Sequence, residues 1–316
     1  MKDNEIFHGK QAEQRKRLSQ KTKKTLQCYG ILSTQLIGLV VFTLYPIAWA
    51  AQKAFYYYYG VPSDMRFVGM QNFIRAFTDE AYWQSWLVTI VFTIGKLPLE
   101  LPLSMLLALA LSRKIKGAGF FRAMYYLPSV ISVVVVGLTF TSLFDYFGFI
   151  NAWLTKFGII EKNIDWFSET STAMLVLLIG SVWNTFGVNV LYFMAALSNV
   201  PKELYESAKI DGAGSWVTFW KITVPMMGPV LQVILLLAIN GTLHTGDYIL
   251  ATTNGAPYSS TYTVIAFQTG KFLPGFGETG VINIGYGCAI SIITSIIMVI
   301  VALVYSKLSK RLQNIY

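Results

Sequence analysis

Long apolar runs alternate with short polar connections along this chain, and the apolar runs set its architecture. Six stretches are long enough to cross a bilayer: roughly Leu26–Ala51, Ser85–Leu111, Phe120–Phe144, Thr172–Leu197, Ile222–Leu243 and Ile282–Leu308. About 20 mostly apolar helical residues span the hydrocarbon core. Helices are the expected form, because a lipid-exposed backbone must close its hydrogen bonds within the segment. The pattern predicts an all-α membrane protein with six transmembrane helices. A polar, basic tail covers residues 1–25, a transmembrane domain 26–311, and a short tail 312–316. The first apolar stretch is too long for a signal-peptide core and no small-residue cleavage site follows it, so it is read as an uncleaved span.

Composition supports this reading. Of 316 residues, 54% are hydrophobic and 13% charged, against about 25% charged in soluble domains, and the mean hydropathy is +0.51. An ordinary soluble enzyme and a disordered chain are both disfavoured. The net charge of +9 takes its meaning from where the cations sit. The N-terminal tail, the loops after the second and fourth spans and the C-terminal tail together hold eighteen Lys and Arg, and the alternate loops hold six. By the positive-inside rule both termini are expected in the cytoplasm. That topology accounts for the charge, and no nucleic-acid recognition motif competes with it. Cys28 and Cys288 form no CxxC pattern, and two histidines are too few for most metal sites. No GxxxxGK[ST] phosphate loop, GxSxG or HExxH element occurs. The chain is expected to be no enzyme and to bind no cofactor. If its work is driven by ATP, the nucleotide and its Mg belong to another chain.

The outer connections at 52–84 and 145–171 are short. Tyr56, Tyr57, Tyr58 and Tyr59 predict an aromatic belt at headgroup level, with a sugar-stacking platform as the sharper alternative. Phe67, Phe73, Phe77, Tyr82 and Trp83 suggest an amphipathic helix on the outer surface. Gly285, Gly287 and Ala289 in the sixth span are small residues at helix-packing spacing, expected against a neighbouring subunit.

The segment from Pro201 to Pro225 carries the strongest signal. Pro201 can open a helix, Glu203 and Glu206 then lie in its positive half, and Leu204, Ala208 and Ile210 give it an apolar edge. Gly212 and Gly214 can end it, and Ser215 can cap a second helix that runs into the fifth span. The product is a short helix pair with an apolar and acidic edge, suited to docking. Glu206, Ala208, Gly212, Ile222 and Pro225 resemble the EAA–x3–G–x9–I–x–L–P loop of binding-protein-dependent importer permeases, with Ser207 and Val224 as departures. Further stretches are similar to the sugar branch of that family: Tyr45-Pro46-Ile47, Phe67 to Phe73, Phe121-Arg122 with Tyr126-Leu127-Pro128, and Thr253 to Pro257 with Ser260-Thr261.

The resemblance implies a type I ABC importer permease fold of the maltose-permease-like kind. It implies a second homologous permease, a cytoplasmic ATPase dimer and an extracytoplasmic solute-binding protein as partners in a bacterial cytoplasmic membrane. It also implies an ATPase-coupling loop at 200–221, with Leu204, Glu206, Ala208, Asp211 and Gly212 as contact residues.

Polar residues inside the spans complete the picture, since each costs insertion energy. Lys96 and Glu100 lie four apart and can pair on one helix face; Pro98 and Pro102 interrupt the same helix. The pair reads as an internal ion pair in a kinked helix or as part of a hinge. Ser181, Asn184 and Thr185 in the fourth span, and Asn240, Gly241, Thr242, His244, Thr245 and Asp247 in the fifth, form a candidate solute pathway. Asn240, His244 and Asp247 share one face if the helix is continuous. Interhelical hydrogen bonding uses the same residue types. In the resembling family the solute site lies among these spans. The reading adopted is a sugar or oligosaccharide importer subunit. Its rival is an ion-coupled secondary transporter using Lys96, Glu100, His244 and Asp247, for which no inverted repeat is visible.

Overall fold

The computed structural model describes residues 22–25, 27–112, 117–276 and 282–313, with side chains up to 309. The basic tail before Thr22, the loop cations Arg113, Lys114 and Lys116, the side chain of Arg311 and residues 314–316 lie outside the described residues. Among the described residues, five helices are long and apolar enough to cross a membrane. These are α1 (Thr22–Lys53), α3 (Glu80–Leu111), α7 (Thr170–Ser198), α9 (Ser215–Leu243) and α12 (Ile284–Gln313). Shorter elements connect them: β1 (Tyr56–Tyr57), β2 (Arg66–Phe67), α2 (Gln71–Thr78), α4 (Ala118–Val130), α5 (Val133–Leu143), α6 (Phe149–Lys156), α8 (Lys202–Ile210), α10 (Asp247–Thr252) and α11 (Val264–Thr269).

The third span expected over Phe120–Phe144 is a broken one, α4 and α5 meeting at 93°. Pro128 withholds one helical N–H, and Ile131 and Ser132 then adopt extended backbone. The buried carbonyl of Pro128 accepts from the Ile131 N–H at 3.3 Å and from the side-chain amide of Asn184 on α7 at 2.7 Å. A neighbouring side chain thus satisfies what the break frees, as the apolar surroundings require. By contrast α3 runs unbroken through Pro98 and Pro102.

α3 and α7 form the most extensive helix pair of the fold, with α4 also packed on α7 and α5 on α10. Ser104 of α3 donates to the Phe186 carbonyl of α7 at 3.0 Å. The end of the bundle that carries residues 54–84 is tied together separately. β1 and β2 pair antiparallel, Tyr56 opposite Phe67. The Lys53 ammonium lies 5.5 to 5.6 Å from the ring centroids of Trp49, Tyr56 and Tyr58, a cation–π cluster. Tyr59 accepts a hydrogen bond from Asn283. The four tyrosines thus also make contacts within their own chain, with Tyr57 packed on Tyr59 at 4.5 Å between ring centroids while 45% exposed. α2 is amphipathic as expected, burying Phe73 and Ala76 and exposing Ile74 and Phe77, but Tyr82 and Trp83 belong to α3.

The small residues of α12 also pack within the chain and not against a neighbour. A Cβ on Gly285 would sit 2.0 Å from the Tyr56 carbonyl oxygen, one on Gly287 would meet the Phe272 ring, and Ala289 is fully buried. The strand–helix approach explains why Asn72 is buried: its amide donates to the carbonyls of Ala54 and Tyr56 at 2.8 and 2.9 Å. Asn72→Ala strands both carbonyls, and an unsatisfied buried group costs roughly 1–3 kcal/mol. The variant is expected to unfold at a lower temperature in detergent while still inserting, as followed by thermal melting of the purified protein; an unchanged melting point would count against this link.

Candidate translocation cavity and coupling helix

A cavity of about 420 Å³ opens between α3, α7 and α9. Lys96 and Glu100 contribute from α3, Ser181, Asn184, Thr185 and Asn189 from α7, and Gly241 and Thr242 from the end of α9. Its other wall comes from His244 to Tyr248, where the chain leaves α9 and enters α10. Lys96 and Glu100 are almost fully buried, 3% and 2% exposed, with 3.5 Å between ammonium and carboxylate. They share a face because four residues advance a helix by just over one turn. Glu100 Oε1 accepts from Thr185 Oγ1 and Asn189 Nδ2, each at 2.7 Å. Its Oε2 has no hydrogen bond among the described residues. One carboxylate oxygen thus anchors α3 to α7, while the other, itself buried, faces the lysine ammonium at 3.5 Å.

Eight of the nine candidate pathway residues line this space: Ser181, Asn184, Thr185, Gly241, Thr242, His244, Thr245 and Asp247. Asn240 does not line it. It is exposed, and its carbonyl accepts from the backbone and Nδ1 of His244. The face shared by Asn240, His244 and Asp247 does not exist, because α9 ends at Leu243 and the backbone turns through Gly246 before Asp247 starts α10. Helical periodicity cannot be carried across such a break. Several of these groups also bond within the chain: Asn184 holds the α4 break, Thr242 donates to Ala238, and Thr185 donates to Glu100 and Ser181. The sequence reading missed Tyr248, a wall residue brought in by the α9–α10 turn, which leaves no hydrophobic-period signal.

On the side of the chain carrying the α7–α9 connection, α8 stands as a separate short helix. Gly212 ends it at φ +73°, a left-handed conformation favouring glycine, while the Ala213 N–H bonds back to the Ala208 carbonyl at 2.8 Å. Gly214 takes the cap position ahead of α9, so Ser215 is its first helical residue and caps nothing. Leu204, Glu206, Asp211 and Gly212 are exposed, and Ile210 is 86% exposed. Ala208 is the exception. It is buried within the chain and supports α8 from inside, so it presents no contact surface outward. Tyr205 and Thr223 hydrogen-bond at 3.1 Å, tying α8 to the start of α9. Residues Phe219–Thr223 there form a π-helical stretch, a wider turn than the α-helix on either side of it.

Comparison with known proteins agrees with this geometry. The lactose transport system permease protein LacF of Rhizobium radiobacter is 32% identical over 249 residues, covering 77% of this chain and 83% of that protein. The multiple sugar-binding transport system permease protein MsmF of Streptococcus mutans is 30% identical over 291 residues, covering 90% and 96%. A crystal structure of a bacterial ABC transporter involved in import of the acidic polysaccharide alginate contains a chain that superposes with TM-score 0.80. That match has 22% identity and covers 93% of this chain and 99% of that one; it shows the shared fold. Residues 100–314, which include the last part of α3, the cavity walls apart from Lys96, and α8, match the family model of the binding-protein-dependent transport system inner membrane component. The chain belongs to that family, as a multi-pass permease subunit of an ABC importer.

Proposed function

We propose that this chain is one of two transmembrane subunits of a bacterial importer that carries a sugar or oligosaccharide across the cytoplasmic membrane by alternating access. The observation that carries the reading is connectivity: α8 lies between α7 and α9, the two long helices that line the cavity with α3. A force on α8 therefore reaches both cavity walls, directly through the Tyr205–Thr223 bond on the α9 side. A cytoplasmic ATPase dimer, holding ATP and Mg, docks on the exposed edge of α8, with Glu206, Leu204, Asp211 and Gly212 at the contact. The nucleotide state then biases a two-state equilibrium between inward- and outward-open cavities. A second permease and an extracytoplasmic binding protein complete the assembly. Both termini lie in the cytoplasm on the strength of the Lys and Arg bias. This chain itself holds no nucleotide. The sugar assignment draws on the lactose and multiple-sugar relatives and on the hydroxyl, amide and paired-charge lining of the cavity. Family membership leaves the ion-coupled alternative without support.

Two predictions follow from the coupling helix and the buried pair. Glu206→Ala, which removes an exposed carboxylate from the docking edge, and Gly212→Pro, which forces φ at a position now near +73°, are each expected to abolish solute-stimulated ATP hydrolysis in reconstituted vesicles while membrane insertion continues. Normal stimulation in both variants would refute the coupling role. Lys96→Met or Glu100→Gln alone leaves a buried charge or its partners uncompensated, a loss of roughly 3–5 kcal/mol for such pairs. The double variant is expected to recover most of the lost thermal stability, measured by melting of the detergent-solubilised protein. A double variant as unstable as the worse single one would mean that mutual neutralisation is not what holds the pair.

A further inference from the structure

A second cavity, about 1230 Å³, lies between α8 and the adjacent ends of α3, α7 and α9. Its wall is apolar where it follows the spanning helices, with Leu106 and Leu109 of α3 and Met194 of α7. Its rim is basic, with Arg122 at the start of α4 and Lys202 and Lys209 on α8. Among the described residues, no Asp or Glu lines it. All three cations are exposed, and among the described residues none has a salt-bridge partner. α8 thus segregates its charge. Lys202, Tyr205 and Lys209 recur at helical spacing on the groove face, while Glu203, Glu206 and Ile210 recur on the adjoining exposed face. An ATPase seated on the acidic face leaves the basic groove unoccupied.

We propose that this groove binds an anionic phospholipid of the cytoplasmic leaflet, its phosphodiester held by Arg122, Lys202 and Lys209 and an acyl chain laid along the apolar wall. The assignment to that leaflet rests on the orientation given above. The combination selects a lipid. A soluble anion gains nothing from the apolar wall, a zwitterionic lipid gains little net attraction from three cations, and juxtamembrane basic clusters attract anionic headgroups. A headgroup bound there bridges α8 to α4, so it holds the coupling helix against the membrane domain from the side opposite its proposed ATPase contact.

The test is native mass spectrometry of the intact assembly, purified through this chain in mild detergent and exposed to phosphatidylglycerol or phosphatidylcholine. Wild type is expected to retain phosphatidylglycerol in preference to phosphatidylcholine. Arg122→Gln/Lys202→Gln/Lys209→Gln is expected to lower that retention roughly tenfold or more, the scale set by three headgroup cations. The charge-preserving Arg122→Lys/Lys202→Arg/Lys209→Arg variant should keep it. Should the neutral triple variant fail to fold, the three single variants decide, each expected to lower retention. Equal retention in the neutral variants, no preference for phosphatidylglycerol, or displacement of the lipid by millimolar inorganic phosphate would overturn the proposal. Co-purification of an ATPase in the same spectra reports on the importer reading separately, so failure of one is distinguishable from failure of the other.

Discussion

The contact between α3 and α7 is the constraint on which the rest of the membrane domain depends, and a single carboxylate sits at its centre. An ionised group amid spanning helices has no water to turn to, so Glu100 must find its partners inside the chain. It finds Lys96 one turn away on its own helix and Thr185 and Asn189 on the facing one. The interaction neutralises charge within α3 and fixes the register of α3 on α7 together. Ser104, one turn further along, repeats the link through the Phe186 carbonyl. Small hydroxyl and amide side chains thus do in this apolar setting what hydrophobic burial does in a soluble core.

The same requirement shapes the irregular parts. The α4–α5 break exposes backbone that lipid cannot satisfy, and Asn184 answers it from α7. The turn from α9 to α10 is held by Thr263, whose hydroxyl donates to the Thr245 carbonyl. Both irregularities border the cavity or lie beside it, in keeping with the rule that non-helical backbone at membrane depth is tolerated where protein or a cavity receives it. The cavity is the space between one unbroken helix, one helix packed on it, and one that stops short.

α1 stands apart from this logic. None of the residues in its apolar window is buried by the rest of the chain, and only its carboxyl end is fastened, through the Lys53 cluster and the approach of α12 to Tyr56 and Tyr58. A helix held at one end keeps its length free for lipid or for another subunit. The packed domain therefore comprises α3 to α12, and the β1–β2 ribbon and α2 serve as the clasp that joins α1 to it.

Much of this was legible in the sequence because it follows from local rules. Apolar length located the spans to within a few residues, except at the amino end of the fifth, where α9 begins at Ser215 and not at Ile222. The i, i+4 spacing placed Lys96 beside Glu100, and a glycine after a short polar helix marked the end of α8 at Gly212. What the tertiary structure alone decided depends on contacts between segments distant in sequence. It bent the third span, ended α9 ahead of Asp247, turned Ala208 inward and packed Gly285 against Tyr56 in place of a partner subunit. It also made Asn184 and Thr185 structural donors as well as cavity residues. A hydroxyl or amide in a span announces that it needs a hydrogen bond; which carbonyl or carboxylate supplies it is set by how the helices meet, and sequence periodicity carries no record of that.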